Sequence, residues 1–257
     1  MVKKLQIIIL GLALVSLTSS GTFAEGKGLV VVAGATGRTG QLVVKYLKAE
    51  GYEVRAMVRS MEKGKKVLGE NIAMVRADVT KPSTLPPLLA GADFVISSIG
   101  VSGKGEARPE DVDYGGSLAL IDASKSAGIK KFIMVTSGGV TWWTHPINWF
   151  SGGVLTWKRK AEIYLRGSGL THVIVRPNGG LNDEPGNASK IIFTQTDGFP
   201  CMFISREDVA IVCVKALGYK EADNKTFEIR NSDEGLVTSS VNWTKTFSTL
   251  VVQSDNF

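Results

Sequence analysis

Three glycines at three-residue spacing form the segment of this sequence with the clearest chemical meaning. The segment directly follows the apolar stretch Leu29–Ala33 and reads Gly34-Ala35-Thr36-Gly37-Arg38-Thr39-Gly40. In such a turn the first glycine permits a sharp bend, the second lets a pyrophosphate approach the backbone, and the third lets a helix pack closely on the strand. The free N–H groups at the start of the following helix favour a phosphate. The spacing therefore predicts a dinucleotide-binding turn.

A basic residue ends the second apolar stretch of the chain. Arg59 follows Glu53–Val58, at the position where an acidic residue would bind the ribose hydroxyls of NAD. A guanidinium can instead hold the 2′-phosphate of NADP through paired hydrogen bonds. Arg38, inside the glycine turn, can reach the same phosphate. A solvated surface charge is the alternative interpretation of Arg59, and NADP is the prediction.

These residues need a parallel sheet to bring them to one edge, and the sequence predicts one. Predicted strands rich in Val, Ile, Phe and Met span Leu29–Ala33, Glu53–Val58, Ile72–Arg76, Phe94–Ile99, Phe132–Thr136 and His172–Arg176. Predicted helices span Thr39–Glu50, Val112–Ala127, Val154–Arg166 and Asp208–Leu217, with C-terminal caps at Gly128 and Gly167 and an N-terminal cap at Ser205 assisted by Asp208. Strands without polar alternation are typical of sheets buried on both faces. Repeated strand–helix alternation then requires right-handed crossovers and predicts an α/β fold with a doubly wound parallel sheet.

Composition excludes several classes of protein. The 257 residues are 44% apolar and 21% charged, which excludes intrinsic disorder. The formal net charge is +6, but no run of five or more basic residues occurs, so the sequence does not predict a nucleic-acid-binding protein. The two cysteines, Cys201 and Cys213, provide neither a disulfide framework nor a metal-ligand spacing, and no metal site is predicted.

The N-terminus predicts export. Lys3 and Lys4 precede an uncharged apolar stretch, Leu5–Leu17, and Ala24 is a small residue suited to cleavage, so residues 1–24 are predicted to be a signal peptide. The alternatives are an uncleaved membrane anchor or the first part of a multi-step organelle signal. Residues 25–257 are predicted to form one domain, with a core at 28–218 and a tail at 219–257 that the sequence pattern does not place.

Further motifs occur in order along residues 28–218. They are Asp78-Val79, Ser97-Ser98-Ile99-Gly100, Val112-Asp113-Tyr114, Leu120-Ile121-Asp122-Ala123, Ala127-Gly128-Ile129-Lys130-Lys131-Phe132, Val135-Thr136-Ser137, Lys160-Ala161-Glu162, Ser168-Gly169-Leu170 and Arg176-Pro177. With the glycine turn and Arg59, they resemble the atypical short-chain dehydrogenase/reductases, and more closely the NmrA-like, NAD(P)-binding branch. The resemblance implies a Rossmann fold with a small C-terminal substrate-covering region, and an oxidoreductase that uses NAD(P).

The resemblance also implies cofactor contacts, position by position. Asp78 and Val79 would flank the adenine of the dinucleotide. The nicotinamide-side ribose and phosphates would lie along Ser97, Ser98, Ile99 and Gly100.

Two catalytic residues are implied in the same way, and a third is missing. Ser137 matches the serine that polarises a substrate carbonyl, and Lys160 matches the lysine that binds the nicotinamide ribose and lowers the pKa of a catalytic tyrosine. The family places that tyrosine four residues before the lysine. The residue here is Thr156, which cannot act as a phenolic acid. The usual proton relay is therefore expected to be incomplete.

Four of the five tryptophans lie in the short segment Trp142–Trp157, which follows the predicted fifth strand. Trp142, Trp143 and Trp149 could stack on a flat aromatic or isoprenoid acceptor, because ligands bind at this edge of such sheets. A hydrophobic lid, or a surface that contacts a protein or membrane, is the alternative.

These observations predict an NADP(H)-dependent oxidoreductase. It would transfer hydride to a flat or hydrophobic acceptor, namely a flavin, a quinone or a carbonyl compound. The alternative is a catalytically silent NADP-binding module that acts as a redox sensor or an assembly scaffold.

Overall fold

A computed structural model describes residues 26–101, 107–197 and 203–253 of the chain. The predicted signal peptide, residues 1–24, and Cys201 lie outside the described residues. Among the described helices, none combines the length and the apolarity that crossing a bilayer requires.

The centre of the molecule is an eight-stranded sheet in the order β3-β2-β1-β4-β5-β6-β10-β8, beside a two-stranded sheet of β7 and β9. The strands are β1 (Leu29–Ala33), β2 (Glu53–Val58), β3 (Ala73–Arg76), β4 (Phe94–Ser97), β5 (Lys131–Val135), β6 (His172–Pro177), β7 (Leu181–Asn182), β8 (Ile191–Thr194), β9 (Ile204–Ser205) and β10 (Lys225–Asn231). Neighbouring strands of the large sheet are parallel except for β8, which pairs antiparallel with β10. The order 3-2-1-4-5-6 is that of a doubly wound Rossmann sheet, so the predicted fold class is confirmed.

Helices cover both faces of this sheet. They are α1 (Arg38–Ala49), α2 (Met61–Leu68), α3 (Leu85–Leu89), α4 (Ser117–Ser126), α5 (Ile147–Phe150), α6 (Val154–Gly167), α7 (Arg206–Gly218) and α8 (Trp243–Thr249). One core packs Val30 and Val32 of β1 against α1, α7 and α8, and the other packs Val31 and Ala33 against α3, α4 and α6. Successive side chains of β1 thus enter two different cores, which explains why the strand lacks polar alternation.

The structure corrects two details of the predicted helices and confirms a third. The predicted helix Val112–Ala127 is divided into a π-helical turn, Glu110–Gly116, and the α-helix α4. Gly167 is the last residue of α6 rather than its left-handed cap, and the left-handed conformation occurs at Gly169. Gly128, after α4, is left-handed as expected, with a φ of 72°.

The N-terminus of α7 is capped by Ser205 as predicted, but without the expected help from Asp208. The Ser205 hydroxyl accepts a hydrogen bond from the Glu207 N–H at 3.1 Å. The Asp208 carboxylate instead accepts hydrogen bonds from the Asn187 N–H and the Thr238 hydroxyl. Asp208 therefore ties α7 to two loops instead of closing a capping box.

The C-terminal segment completes the sheet. Strand β10 inserts between β6 and β8, and α8 packs Phe247 against Phe227 of β10 with a ring-centre distance of 5.8 Å. The irregular region after β6 contributes β7, β8 and β9, so part of the predicted substrate-covering region belongs to the edge of the large sheet.

Candidate functional site

A cavity of about 440 Å³ lies at the carboxyl ends of β1 to β4, where the strand order reverses between β1 and β4. Ligands of open α/β sheets bind at this position, and the volume falls within the range of small-molecule sites. Its walls are formed by Gly34, Thr36, Gly37, Met57, Arg59, Lys63, Asp78, Val79, Ser98, Ile99, Gly100, Val101, Ala107 and Val112. The structure thus brings together nine of the residues that the sequence predicted for cofactor binding.

The glycine turn adopts a conformation that side chains would prevent. Gly34 has a φ of 80°, and a Cβ atom there would lie 2.8 Å from the carbonyl oxygen of Ser98. A Cβ atom on Gly40 would overlap the carbonyl oxygen of Gly34. Gly40 therefore permits the close packing of α1 on the end of β1, and Gly34 permits the close approach of the turn to β4.

The first turn of α1 is free to bind an anion. Its N-cap residue, Gly37, has no side chain to accept the first N–H groups, and the turn contains no acidic residue. Gly37 and Thr36 both line the cavity. The N–H groups and the positive end of the helix dipole therefore suit a phosphate, and these residues fit the pyrophosphate of a dinucleotide.

Cations collect at the end of the cavity formed by β2 and β3. Arg59 and Lys63 are both exposed there, opposite Asp78. Burial would raise the pKa of Asp78, but hydrogen bonds from the Thr80 N–H and hydroxyl, together with the charge of Arg59, lower it. Asp78 is therefore a fixed carboxylate, and Arg59 and Lys63 remain available to a further anion.

The other predicted residues of this part of the site lie outside the walls of the cavity. The Arg38 guanidinium forms an ion pair with Asp183 at 3.0 Å, and Asp183 also pairs with Arg206 at 2.6 Å. Thr39 stands with Gly40 in the first turn of α1, and Ser97 is buried at the end of β4.

A buried ion pair lies behind the opposite end of the cavity. The Lys158 Nζ atom is 2.7 Å from Oδ1 of Asp113, whose side chain is fully buried. The second carboxylate oxygen of Asp113 accepts a hydrogen bond from the Val101 N–H at 3.1 Å. A Cβ atom on Gly100 would lie 3.2 Å from Asp113 Oδ1 and 3.5 Å from Lys158 Nζ. The ion pair therefore stands directly against the wall that Gly100 forms.

Lys160, the lysine implied by the family resemblance, occupies a different environment. Its Nζ atom lies 4.1 Å from the ring centre of Trp157 and 5.9 Å from that of Tyr114. Thr156 is exposed. The Ser137 hydroxyl, just after β5, donates a hydrogen bond to the Gly138 carbonyl at 3.0 Å. The two implied catalytic residues are thus not on the walls of the described cavity.

Lys158 is not among the residues predicted from the sequence, although its spacing in α6 indicates an inward-facing position. Lys158 follows the buried Leu155 by three residues and precedes the buried Glu162 by four, so it lies on the inner face of the helix. Lys160 does not have this spacing. Helix phase could therefore have distinguished the two lysines.

Buried charges fix the start of the segment that contains the tryptophans. Glu162 accepts hydrogen bonds from Arg176 at 2.6 Å and from the Thr136 hydroxyl at 2.6 Å. Asp197 accepts hydrogen bonds from the N–H groups of Gly139 and Thr141 at 2.5 and 2.6 Å. These contacts join α6, β5 and β6 and hold the backbone that follows Ser137.

Most of the tryptophan side chains in this segment point into solvent. Trp143, Trp149 and Phe150 are 82%, 75% and 87% exposed, and Trp142 is 38% exposed. Trp157 instead packs against Tyr114 with a ring-centre distance of 5.5 Å. We call Trp142, Trp143, Ile147, Trp149 and Phe150 the aromatic patch.

Comparisons with known proteins agree with the geometry of the cavity. The sequence profile of a family described as NAD(P)H-binding matches residues 34–220. An uncharacterised chloroplastic protein of Arabidopsis thaliana is 36% identical over 93% of this chain and 79% of its own. Sanguinarine reductase of Eschscholzia californica is 32% identical over 86% of this chain and 96% of its own. A solved structure from Bacillus halodurans, assigned to the NAD-dependent epimerases/dehydratases, has 30% identity and a TM-score of 0.75, covering 87% of this chain and 100% of that one.

Proposed function

Because the chain belongs to the NAD(P)H-binding family, as an NmrA-like atypical short-chain dehydrogenase/reductase, we propose that it is an NADP(H)-dependent oxidoreductase with a flat or hydrophobic acceptor. The acceptor would be a flavin, a quinone or an aromatic carbonyl compound. One observation carries the proposal: the glycine turn, the uncapped start of α1 and the cation Arg59 surround a single cavity at the strand-order reversal.

The preference for NADP is inferred from charge. NAD-specific sites use an acidic side chain at the end of the second strand to bind the ribose hydroxyls. Here that position is Arg59, with Lys63 beside it in the same wall. Two cations would bind the 2′-phosphate of NADP through charge-assisted hydrogen bonds, whereas NAD offers no group of that charge.

The residues of the chain would bind and orient the dinucleotide and the substrate, while the bound dinucleotide would supply the hydride. The start of α1 would hold the pyrophosphate, and Ser98, Ile99 and Gly100 would hold the nicotinamide ribose. Ser137 would polarise a substrate carbonyl after its hydroxyl rotates away from Gly138. Lys160 would need to leave Trp157 to reach the ribose, whereas the Lys158 ammonium is held by Asp113 against the wall that Gly100 forms.

The acceptor would bind beyond the nicotinamide end, on the side of the aromatic patch. A Cβ atom on Gly152, just after the patch, would lie 3.4 Å from Pro109, which is two residues from the cavity-lining Ala107. This proximity supports an acceptor between the cavity and Trp142, Trp143 and Trp149. Sanguinarine reductase, by its name, reduces sanguinarine, which supports reductase chemistry here.

The proposal is tested by an acceptor screen with the full chain. NADPH oxidation is followed by nicotinamide absorbance with flavins, quinones and aromatic carbonyl compounds, and with buffer alone. We expect turnover with at least one of the three classes, and a lower rate with NADH at equal concentration. Tight NADPH binding without oxidation by any of the three classes would contradict the proposal.

A second candidate function is a redox-sensing or assembly module. Two observations favour it: a threonine stands four residues before Lys160, and Trp143, Trp149 and Phe150 are largely exposed. Such surfaces suit a protein or a membrane partner. Capture of a partner with an affinity that differs between NADP⁺ and NADPH, together with a negative acceptor screen, would establish this function instead.

We further propose that residues 1–24 are a cleaved targeting segment. The Arabidopsis relative is named as chloroplastic, which supports delivery to an organelle over secretion. A mature protein that begins at Glu25 in the host would support cleavage, and a mature protein that begins at Met1 would contradict it.

A further inference from the structure

We propose that Lys158, held by the buried Asp113, donates the proton that accompanies hydride transfer to a carbonyl substrate. It would replace the tyrosine that this chain does not have four residues before either Lys158 or Lys160, where Val154 and Thr156 stand. The inference rests on the proposed function, because it requires a bound dinucleotide as the source of hydride.

The position of Lys158 is the first support. Its Nζ atom would lie 3.5 Å from a Cβ atom on Gly100, a residue of the cavity wall. The side chain is 15% exposed, so the ammonium is largely shielded from bulk water but not sealed off. A substrate bound beyond Gly100 would therefore meet an N–H donor at the end of the cavity where the nicotinamide is expected.

Asp113 is the positioning residue for this ammonium. Its carboxylate is fully buried and contacts Lys158 Nζ at 2.7 Å and the Val101 N–H at 3.1 Å. A buried carboxylate is costly unless it is paired, so the pair constrains Lys158 to one orientation. Asp113 can thus hold Lys158 without contacting the substrate itself.

The backbone around Asp113 has an irregularity of the kind found at functional sites. Asp113 lies in the π-helical turn Glu110–Gly116, and π-helical turns are rare and often functional. The Ser117 hydroxyl donates to the Asp113 carbonyl at 2.8 Å, and Gly116 packs against Val79. The turn therefore brings Asp113 behind the cavity wall and fixes it there.

The acidity of a lysine suits the step. In model peptides the lysine ammonium and the tyrosine phenol have similar pKa values, about 10.4 and about 10. Either group can protonate an alkoxide, which is a much stronger base. Threonine, at position 156, has no comparable acidity.

A new C–H bond forms at the carbonyl carbon with the hydride supplied by the dinucleotide, and the π electrons of the C=O bond move to oxygen. One N–H bond of Lys158 breaks and an O–H bond forms. The dinucleotide is oxidised and the carbonyl compound is reduced by two electrons. Lys158 is left as a neutral amine, which still donates a hydrogen bond to Asp113, and it regains its proton from water.

The test compares two aromatic substrates that differ in their need for a proton. An aromatic aldehyde needs one on oxygen, whereas an N-methylated aromatic iminium accepts hydride at carbon and needs none. The variant is the full chain with Asp113→Asn and Lys158→Met together, which leaves no unpaired buried charge. Lys125→Met, on the exposed part of α4, is the matched control. Thermal unfolding and NADPH fluorescence titration accompany the kinetics.

For the double variant we expect a loss of about a hundredfold or more in kcat with the aldehyde, typical of a missing general acid. The iminium rate and the NADPH affinity should stay within about threefold of the parent. Equal losses with both substrates, a large loss of NADPH affinity, or an unchanged aldehyde rate would each overturn the inference while leaving the proposed oxidoreductase intact. Reduction of neither aromatic substrate by the parent chain would overturn the inference, and it would overturn the proposed function as well if flavins and quinones also fail to oxidise NADPH.

Discussion

Gly40 illustrates how a single residue positions the candidate site. It lies in the first turn of α1, directly against the end of β1, where a Cβ atom would overlap the Gly34 carbonyl oxygen. The backbone of Gly40 fixes the position of the Cβ atom, and the atom that it overlaps is itself a backbone oxygen. Rotation of a side chain therefore cannot relieve the overlap. The distance between the helix and the strand therefore depends on the absence of one methyl group.

We predict that Gly40→Ala lowers the free energy of unfolding by about 1 to 3 kcal/mol, because α1 must move away from β1. NADPH affinity should fall as well, since the first turn of α1 moves with it. Urea unfolding and NADPH titration check both effects.

Gly167→Ala is the control for this substitution. Gly167 also lies in a helix, but a Cβ atom there would have no neighbour within 4 Å. We expect it to stabilise the chain by up to about 1 kcal/mol. Equal free energies of unfolding for the two variants would contradict the role assigned to Gly40.

Some individual residues of the site could be predicted from the sequence. Residues within one continuous motif, such as Gly34 and Gly37, could be predicted because their function depends on local spacing. Arg59 followed from its place at the end of a strand. The choice between Lys158 and Lys160 depends on which face of α6 meets the sheet and on a partner, Asp113, that is distant in sequence. A motif comparison alone does not contain that information.

At the scale of elements, Glu207 connects three parts of the fold. Its carboxylate accepts hydrogen bonds from the Gly186 N–H at 2.9 Å, Lys45 at 2.7 Å and the Tyr46 hydroxyl at 2.7 Å. These contacts join the N-terminus of α7 to α1 and to the loop after β7. They lower the pKa of Glu207 to about 2.

The lowered pKa predicts a pH-dependent contribution to stability. The folded chain binds the proton of Glu207 less readily than the unfolded chain, so the stabilisation is full above about pH 4.5 and is lost as the pH falls to about 2. We predict that Glu207→Gln lowers the free energy of unfolding by about 2 kcal/mol at neutral pH. The difference from the parent should shrink at about pH 3.

Denaturant unfolding at the two pH values measures this difference. Glu234→Gln, at an exposed loop position, is the control and should change stability by less than about 0.5 kcal/mol. A loss for Glu207→Gln that is the same at both pH values would show that the charge of the carboxylate is not its cause.

Strand β10 was not predicted from the sequence, for a physical reason. Strand β10 contains Lys225, Glu228 and Arg230, so its pattern does not indicate a strand in the interior of a sheet. Glu228 is nevertheless buried beside Arg176, where burial and the nearby Asp197 raise its pKa to about 7. A strand that depends on a tertiary charge network cannot be recognised from local hydrophobicity. β1 to β6 could be predicted because most of the side chains that they bury are apolar.

In the whole molecule, the cavity proposed to bind the cofactor and the segments proposed to bind the acceptor lie along one edge of the sheet. The doubly wound order places the ends of β1 to β4 around the cavity, and the segments after β5 and β6 lie along the same edge. The proposed sites for cofactor and acceptor would therefore be formed by different parts of the chain. The aromatic patch follows β5 at this edge, away from Val251 and Val252, which are exposed near the opposite end of β6.

The proposed preference of this cavity for NADP(H) over NAD(H) can be measured by an equilibrium titration. The full chain, its Arg59→Ala variant and a Lys66→Ala control on the exposed side of α2 are titrated with NADPH and NADH, following nucleotide fluorescence. We predict that the parent and the control bind NADPH at least about tenfold more tightly than NADH, the effect of one charge-assisted hydrogen bond or more. Arg59→Ala should remove most of this preference and leave NADH affinity unchanged. Equal affinities of the parent for the two nucleotides, or binding of neither, would contradict the claim.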